Sequence, residues 1–436
     1  MRKKITIPIQ SIYETKSLLL AWSKQFECVC CLDSNATEQK SKVAYASFDF
    51  ILAVDSIEEI IPDEAPFEKL MEFYKQQKDW VFGYLSYELK DTVEKLSSAS
   101  ADRIEFPLLH FFCPRFIFTI EQQNLCVYFS PELETEELVL KTAQEILSNL
   151  LKDKMPEGGA VKIQQRISKE EYINSVHTIQ EHIQAGDIYE MNFCQEFYVE
   201  DVTIDALTVF EKLNRLSKAP FSCYYKLNKK HLLCASPERY LKKASNKLIS
   251  QPIKGTSKRG ASTEEDEQLK LSLLNDEKER SENIMIVDLV RNDLSKVAKR
   301  GSVKVEELCG LYSFEQVHQL ISTISCEIDS DVSIIDILKS TFPMGSMTGA
   351  PKIRAMQLIE QYEKTKRGLY SGAVGYISPE GDFDFNVVIR SILYNENERY
   401  ISYIAGSAIT SKSIPEKEYE ECMTKAKAMY TVFSNS

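Results

Sequence analysis

Three apolar segments near the C-terminus, YSGAVGYIS, DFNVVIRSILYN and RYISYIAGSAIT, follow one another with only short polar stretches between them. They read as adjacent strands joined by polar turns, because runs rich in Val, Ile and Tyr suit a pleated, buried surface. Upstream, KVAYASFDFILAVDS and WVFGYLSYEL read as strands and FPLLHFFCPRFIFTIEQQNLCVYFS as a hairpin, whereas TEELVLKTAQEILSNLLKD has helical period. Ser168 and Glu171 form a capping box, Ile173, Val176, Ile179 and Ile183 an apolar stripe, and Gly186 a helix stop. The stretch from Ser262 to Gly301 reads as one long charged helix. Strands and helices in this irregular order predict an α+β chain, not a βαβ repeat. Pro and paired Gly in KMPEGGAV mark the best boundary candidate, dividing residues 1–157 from 158–436.

Composition narrows the function. The 436 residues are 43% hydrophobic and 27% charged, which excludes disordered and collagen-like chains. With 53 basic against 65 acidic residues the net charge is −12, so the chain repels nucleic-acid phosphates and no nucleic-acid partner is expected. The eleven cysteines, odd in number and scattered, read as reduced buried thiols. Cys28, Cys30 and Cys31 cluster in FECVCCLD, but no second CxxC and no nearby His completes a metal site there. The N-terminus MRKKITIPIQ lacks an apolar signal core, and no uncharged apolar run reaches the ~18–20 residues of a membrane span. These are features of a cytoplasmic protein with no membrane partner.

Several short constellations carry chemical content. Glu279 and Glu282 lie three apart on one predicted helix, and Glu418 and Glu421 on another. Residues at i and i+3 share a helix face, so two such faces could form a hard-oxygen site suited to Mg²⁺. By spacing alone, ExxE on a charged helix is more often a solvated face. In SQPIKGTSKRG, Gly255 permits close backbone approach to a ligand, and a dry surrounding would lower the pKa of Lys254 toward a neutral nucleophile; the plain alternative is a solvated loop lysine. TFPMGSMTGAPKIRAM leads small residues into a helix N-terminus, an anion site by geometry or an ordinary helix entry. Arg390, within the apolar NVVIRSIL, needs an anionic partner, either a ligand carboxylate or a structural acid. His318, among apolar residues, is either a satisfied core histidine or a group that polarises a ligand. GxSxG and GxCxGxQ are missing, so the chain is not expected to hydrolyse glutamine itself.

PIKGT, SENIMIVDLVRNDL, FPMGSMTGAPKIRAM, RGLYSGAVGYI, NVVIRS and PEKEYEECMTKAKA together resemble, in order and spacing, the signature blocks of the chorismate-utilising enzymes, over about residues 165–433. LDSN, SFDF and GYLSYE resemble the N-terminal region of the anthranilate synthase component I type. On this resemblance residues 1–157 are that region and 158–436 the chorismate-binding catalytic region, in a single α+β unit of two large orthogonally packed sheets flanked by helices. Lys254 stands in PI-x-GT where anthranilate synthases usually carry Ala, and so resembles the aminodeoxychorismate synthase component I branch.

The resemblance implies a set of roles. Glu282 and Glu421 match Mg²⁺ ligands, with Glu279 and Glu418 beside them. Lys254 matches a nucleophile that adds to the chorismate ring, and Glu238, in SPERY, the acid that protonates the leaving hydroxyl. Arg390 and Tyr370 match groups that grip the enolpyruvyl carboxylate. Thr256, Ser346 and His318 match positions near the ring, with Gly255, Gly406, Ser407 and Lys352 at further substrate-binding positions. A dry pocket would raise the pKa of Glu238 and lower that of Lys254, their mutual attraction opposing both. Ammonia is expected from a separate glutamine amidotransferase subunit, with tryptophan a candidate structural ligand at LDSN. Three residues depart from the pattern: Ala408 for a Gly, Ser346 for a Thr, and Glu190 where Gln is usual and isochorismate synthases carry Lys. The alternatives are anthranilate synthase component I, or a chorismate-binding subunit with little turnover, of which Ala408 would be the mark.

Overall fold

The structure, a computed structural model, describes residues 1–35, 48–149 and 162–433. The KMPEGGAV boundary and residues 42–47 of the first predicted strand lie outside them. Among the described residues, twenty strands form a continuous set of antiparallel pairs, with helices packed against it. The α+β class is as expected. Pairing crosses the predicted boundary. Strand Cys28–Asp33 lies between Phe50–Ile60 and Phe221–Leu227, and Val81–Leu85 lies between Leu109–Glu121 and Ala373–Ile377. The N-terminal region is therefore built into the same unit as the rest.

Alternation along the strands feeds two hydrophobic cores. In Phe221–Leu227, Cys223, Tyr225 and Leu227 enter one core and Tyr224 the other. In Glu190–Val199, Met191, Phe193, Phe197 and Val199 enter the second core while Cys194 enters the first. All eleven cysteines are free and buried. No helix among the described residues is long and apolar enough to cross a membrane.

Two predicted elements are divided. The helix expected from Ser262 to Gly301 is two helices, Thr263–Asn275 and Glu277–Ser295. Asp276 between them is extended (ψ 111°), and its carboxylate accepts the Glu279 N–H at 3.0 Å. It is an N-cap in the middle of a helical pattern. NVVIRSIL likewise splits into strands Phe383–Val387 and Ser391–Asn395, with Arg390 in the link at φ +50°.

One buried network ties the strand Glu190–Val199 to the segment that follows Pro343. The Arg367 guanidinium forks onto Glu363 at 2.7 and 2.9 Å, and donates to the Met347 carbonyl at 2.6 Å and the Asn192 carbonyl at 3.1 Å. Glu363 also accepts the Cys194 N–H at 2.9 Å. Arg367→Leu would leave this carboxylate buried and uncompensated. We expect a loss of about 3–5 kcal/mol in urea unfolding, well beyond that of a surface Arg→Leu control such as Arg291→Leu.

Candidate active site

Strands Glu190–Val199 and Tyr400–Thr410 pair Glu190 with Thr410, Asn192 with Ala408 and Cys194 with Gly406. Opposed residues of an antiparallel ladder share a face. Glu190, Asn192, Cys194 and Ala408 thus form one surface, while Phe193 and Ser407 turn to the other. Ser407 accordingly meets the Tyr172 hydroxyl at 3.3 Å and does not join the other candidates. Gly406 admits no side chain, since a Cβ would stand 2.0 Å from the Phe193 carbonyl oxygen. The Ala408 methyl lies on the shared surface beside Asn192.

Lys254 reaches this surface from strand Ile253–Lys258. Its Nζ lies 3.0 Å from Glu190 Oε1 and 3.5 Å from Asn192 Oδ1. The lysine side chain is 11% exposed and that of Glu190 0%. Its backbone is held from helix Glu277–Ser295, where Asn283 Nδ2 donates to the carbonyls of Lys254 at 3.2 Å and Leu320 at 3.3 Å. Gly255 has φ +95°, and a Cβ there would come within 3.3 Å of a Glu279 carboxylate oxygen. The electrostatics correct the expected neutral lysine. Burial does push the amine down, but Glu190, Glu282 and Glu238 outweigh it and hold the pKa well above the ordinary lysine value. Glu190, the unexplained departure, is the counter-charge of Lys254.

The four ExxE glutamates come together, and three of them, Glu279, Glu282 and Glu421, feel the charge of this amine. Lys278 sits between the two helices, with Nζ 3.0 Å from Glu418 Oε1 and 3.7 Å from Glu282 Oε1. Lys425 pairs with Glu421 at 2.8 Å and donates to the Gly406 carbonyl at 2.9 Å. Burial raises the Glu282 carboxyl to about 7 despite the pull of Lys254. Burial and the Glu421 charge also raise Glu279. Glu421 is partly exposed, its side chain 43% accessible, and Lys425 and Lys278 bring it below the usual carboxylate range despite the desolvation it does feel. Glu282 Oε1 and Glu418 Oε2 are buried oxygens with no hydrogen-bond donor. All-oxygen donors with unsatisfied lone pairs fit a hard divalent cation such as Mg²⁺.

Glu238 and Ser346 lie next to this group. The Ser346 hydroxyl donates to Glu238 Oε1, and burial raises the Glu238 carboxyl to about 7. Asn192 Nδ2 holds the Ser346 carbonyl at 2.9 Å. Arg390 is half-buried, and among the described residues its guanidinium has no ion pair or side-chain hydrogen bond. Burial lowers its pKa, with Glu238 the one carboxylate that pulls it back. The Tyr370 hydroxyl reaches the Glu190 face through Cys194 Sγ at 3.7 Å. Thr256 is exposed at the strand edge opposite Gln319.

Two further candidates are committed elsewhere. His318 bonds Ser313 Oγ and Asp266 Oδ1, each at 2.9 Å, and faces helix Thr263–Asn275. Lys352 pairs with Asp293 and donates to the Thr341 carbonyl at 3.2 Å. In the LDSN segment, Asn35 donates to Asn214 Oδ1 and the Ala219 carbonyl at 2.8 Å each and to Ser222 Oγ at 3.0 Å. Sequence reasoning missed Asn192, Asn283, Lys278 and Lys425. Only Asn283 left a signal, as a polar residue on an otherwise apolar helix stripe.

The family model for chorismate binding enzymes matches residues 24–431. Aminodeoxychorismate synthase, chloroplastic, of Arabidopsis thaliana is 42% identical over 264 residues, which is 60% of this chain and 28% of that protein. The chain thus spans under a third of the length of that plant relative. Aminodeoxychorismate synthase component 1 of Bacillus subtilis is 30% identical over 356 residues, 80% of this chain and 75% of that protein. The crystal structure of anthranilate synthase component I from Streptococcus pneumoniae superposes with a TM-score of 0.77 at 27% identity, covering 90% of this chain and 95% of that one.

The raised carboxyls link stability to pH. Glu238 and Glu282 sit near 7 in the fold against about 4.5 unfolded. A group raised on folding contributes stability that is complete below the unfolded pKa and lost as pH rises through the folded one. The metal-free melting temperature is expected to fall between pH 5 and pH 8. Glu282→Gln should flatten that slope and raise the pH 8 melting temperature by a few degrees in calorimetry.

Proposed function

The chain belongs to the chorismate binding enzyme family, and on that premise we propose that it aminates chorismate with ammonia to 4-amino-4-deoxychorismate, the precursor of p-aminobenzoate and folate. The observation that carries this reading is the Lys254 amine, nearly buried and 3.0 Å from Glu190, on a surface bordered by Arg390 and the four glutamates. A protein that only binds chorismate has no need of a sequestered amine with its own proton acceptor.

The residues divide the work by charge. Arg390, the one guanidinium here without a counter-charge, binds the enolpyruvyl carboxylate. Glu282 and Glu421, with Glu279 and Glu418, would hold Mg²⁺, which when bound offsets the ring carboxylate and favours loss of the C4 hydroxyl. Glu190 takes a proton from Lys254. The freed Nζ then forms a bond to C2 as the ring electrons shift and the C4–O bond breaks. Glu238, protonated near neutral pH, gives its proton to the departing oxygen, which leaves as water. Ammonia then adds at C4 and the C2–N bond breaks. The lysine recovers its proton from Glu190, and the new ammonium returns one to Glu238. The sum is chorismate plus ammonia giving aminodeoxychorismate plus water. Within the same reading, the ammonia comes from a glutamine amidotransferase partner, and tryptophan is a structural ligand at the LDSN segment.

The likeness to anthranilate synthase component I supports a second reading, amination at C2 to give anthranilate. Mass spectrometry of products from chorismate, Mg²⁺ and ammonium separates the two. Aminodeoxychorismate is expected; anthranilate as main product would overturn the assignment, as would chorismate that binds and is never consumed. Lys254→Ala should abolish or strongly slow turnover while Mg²⁺ binding persists, and unchanged turnover would remove the lysine from the mechanism. Glu190→Gln removes the proton acceptor and the largest attraction on the amine. The rate should fall about 10²-fold, and the pH limb of Lys254 should move to lower pH. An unshifted pH–rate profile would exclude the pair.

A further inference from the structure

Away from the glutamate-lined surface, three donors of unlike chemistry converge. Cys28 comes from strand Cys28–Asp33, Glu59 from Phe50–Ile60 and His110 from Leu109–Glu121. One ligand atom of each lies within 4.8 Å of the other two. We propose that this is a zinc site, in which Cys28 Sγ, His110 Nε2 and a Glu59 carboxylate oxygen bind Zn²⁺.

The donor set selects the ion. Thiolate and imidazole favour a borderline-soft transition metal over Mg²⁺ or Ca²⁺, and three protein ligands with one open position is a frequent zinc arrangement. The imidazole is already oriented for it. His110 Nδ1 bonds the Tyr225 hydroxyl at 2.6 Å, which leaves Nε2 facing Glu59 Oε2 at 3.2 Å. Metal-binding histidines are commonly held this way through the other ring nitrogen. Cys28 is 4% exposed and the His110 side chain 0%, whereas the Glu59 side chain is 43% exposed and leaves an entry path.

Two independent features support a built site. The first is the fold's choice of glutamate. Upstream in the Phe50–Ile60 ladder, Ser56 opposes Pro114, a register that would set Glu58 opposite Phe112; a bulge then inserts one residue, so Phe112 meets Glu59 instead. Phe112 and His110 are two apart on one face, their rings stacked at 5.8 Å. The bulge thus aims Glu59 at His110. The second is Tyr84, fully buried, whose hydroxyl has no hydrogen-bond partner. Its ring packs 5.2 Å from that of Tyr225 and 6.0 Å from that of His110, and it lies near enough to Cys28 to feel ionisation of that thiol. A water in the fourth zinc position would give this hydroxyl a partner. Binding replaces the Cys28 S–H bond with a Zn–S bond of about 2.3 Å, and the thiol proton passes to solvent. No redox change is involved.

The full chain, stripped with chelator, is titrated with Co²⁺ as a spectroscopic probe and then with Zn²⁺. One equivalent of Co²⁺ should give a near-ultraviolet sulfur-to-cobalt charge-transfer band that Zn²⁺ displaces and Cys28→Ser abolishes. Glu59→Gln, at the surface, keeps the core intact. It should weaken Zn²⁺ binding by more than about tenfold without changing chorismate turnover. Cobalt bound with no sulfur band, as the all-oxygen glutamate site alone would give, overturns the proposal. So does absence of binding, or unchanged affinity in Glu59→Gln. None of these outcomes bears on the amination.

Discussion

A lysine amine and a glutamate carboxylate 3.0 Å apart, with side chains 11% and 0% exposed, set what every neighbouring group can be. Each ion alone would lose several kcal/mol on leaving water, and each removes much of that cost for the other. The pair also explains why Lys254 stays charged in a space dry enough to neutralise it. Desolvation acts on both partners, but attraction from three carboxylates acts on the amine at once. Expecting a neutral lysine from dryness allowed for the pull of Glu238 but not for those of Glu190 and Glu282. On the proposed reading, a nucleophile would appear only when the proton crosses from Lys254 to Glu190.

The surroundings hold that pair from the backbone outward. Asn283 fixes the Lys254 carbonyl, and the Arg367–Glu363 network fixes the Asn192 carbonyl and the Cys194 N–H. The two sides of the pair are therefore anchored on different elements, a helix and a buried guanidinium. Neither anchor touches the paired charges themselves, yet both hold the backbone that sets their separation.

Much of this was legible in the sequence because it is local. The i, i+3 spacing on two helices specified the glutamate faces, the strand composition specified the α+β class, and the motif order pointed to the family. What was not legible depends on registers between distant strands. Ser407 follows Gly406 in a motif, yet strand parity turns its side chain to Tyr172. His318 was open between core and ligand, and its partners Ser313 and Asp266 come from a neighbouring strand and a helix. Asp276 reads as one more acid in a charged helix, but its side chain caps the next helix and ends the first. Cys28 had no nearby His in sequence, and the sheet brought His110 to it.

Charge balance links these particulars to a preference in ligand. Six carboxylates, Glu190, Glu238, Glu279, Glu282, Glu418 and Glu421, share this region with four cationic side chains, Lys254, Lys278, Lys425 and Arg390. Fully ionised, the region would be net negative before any anion entered, and a doubly anionic guest would deepen the deficit. Two responses are available to the chain. It can protonate, as the values near 7 of Glu238 and Glu282 indicate, or it can take up a divalent cation at the oxygens of Glu282 and Glu418 that no donor satisfies. Only the second leaves Glu282 ionised while Glu238 keeps its proton. A cation held by the two helices would thus separate two carboxyls that burial alone renders alike, making one a ligand and the other an acid.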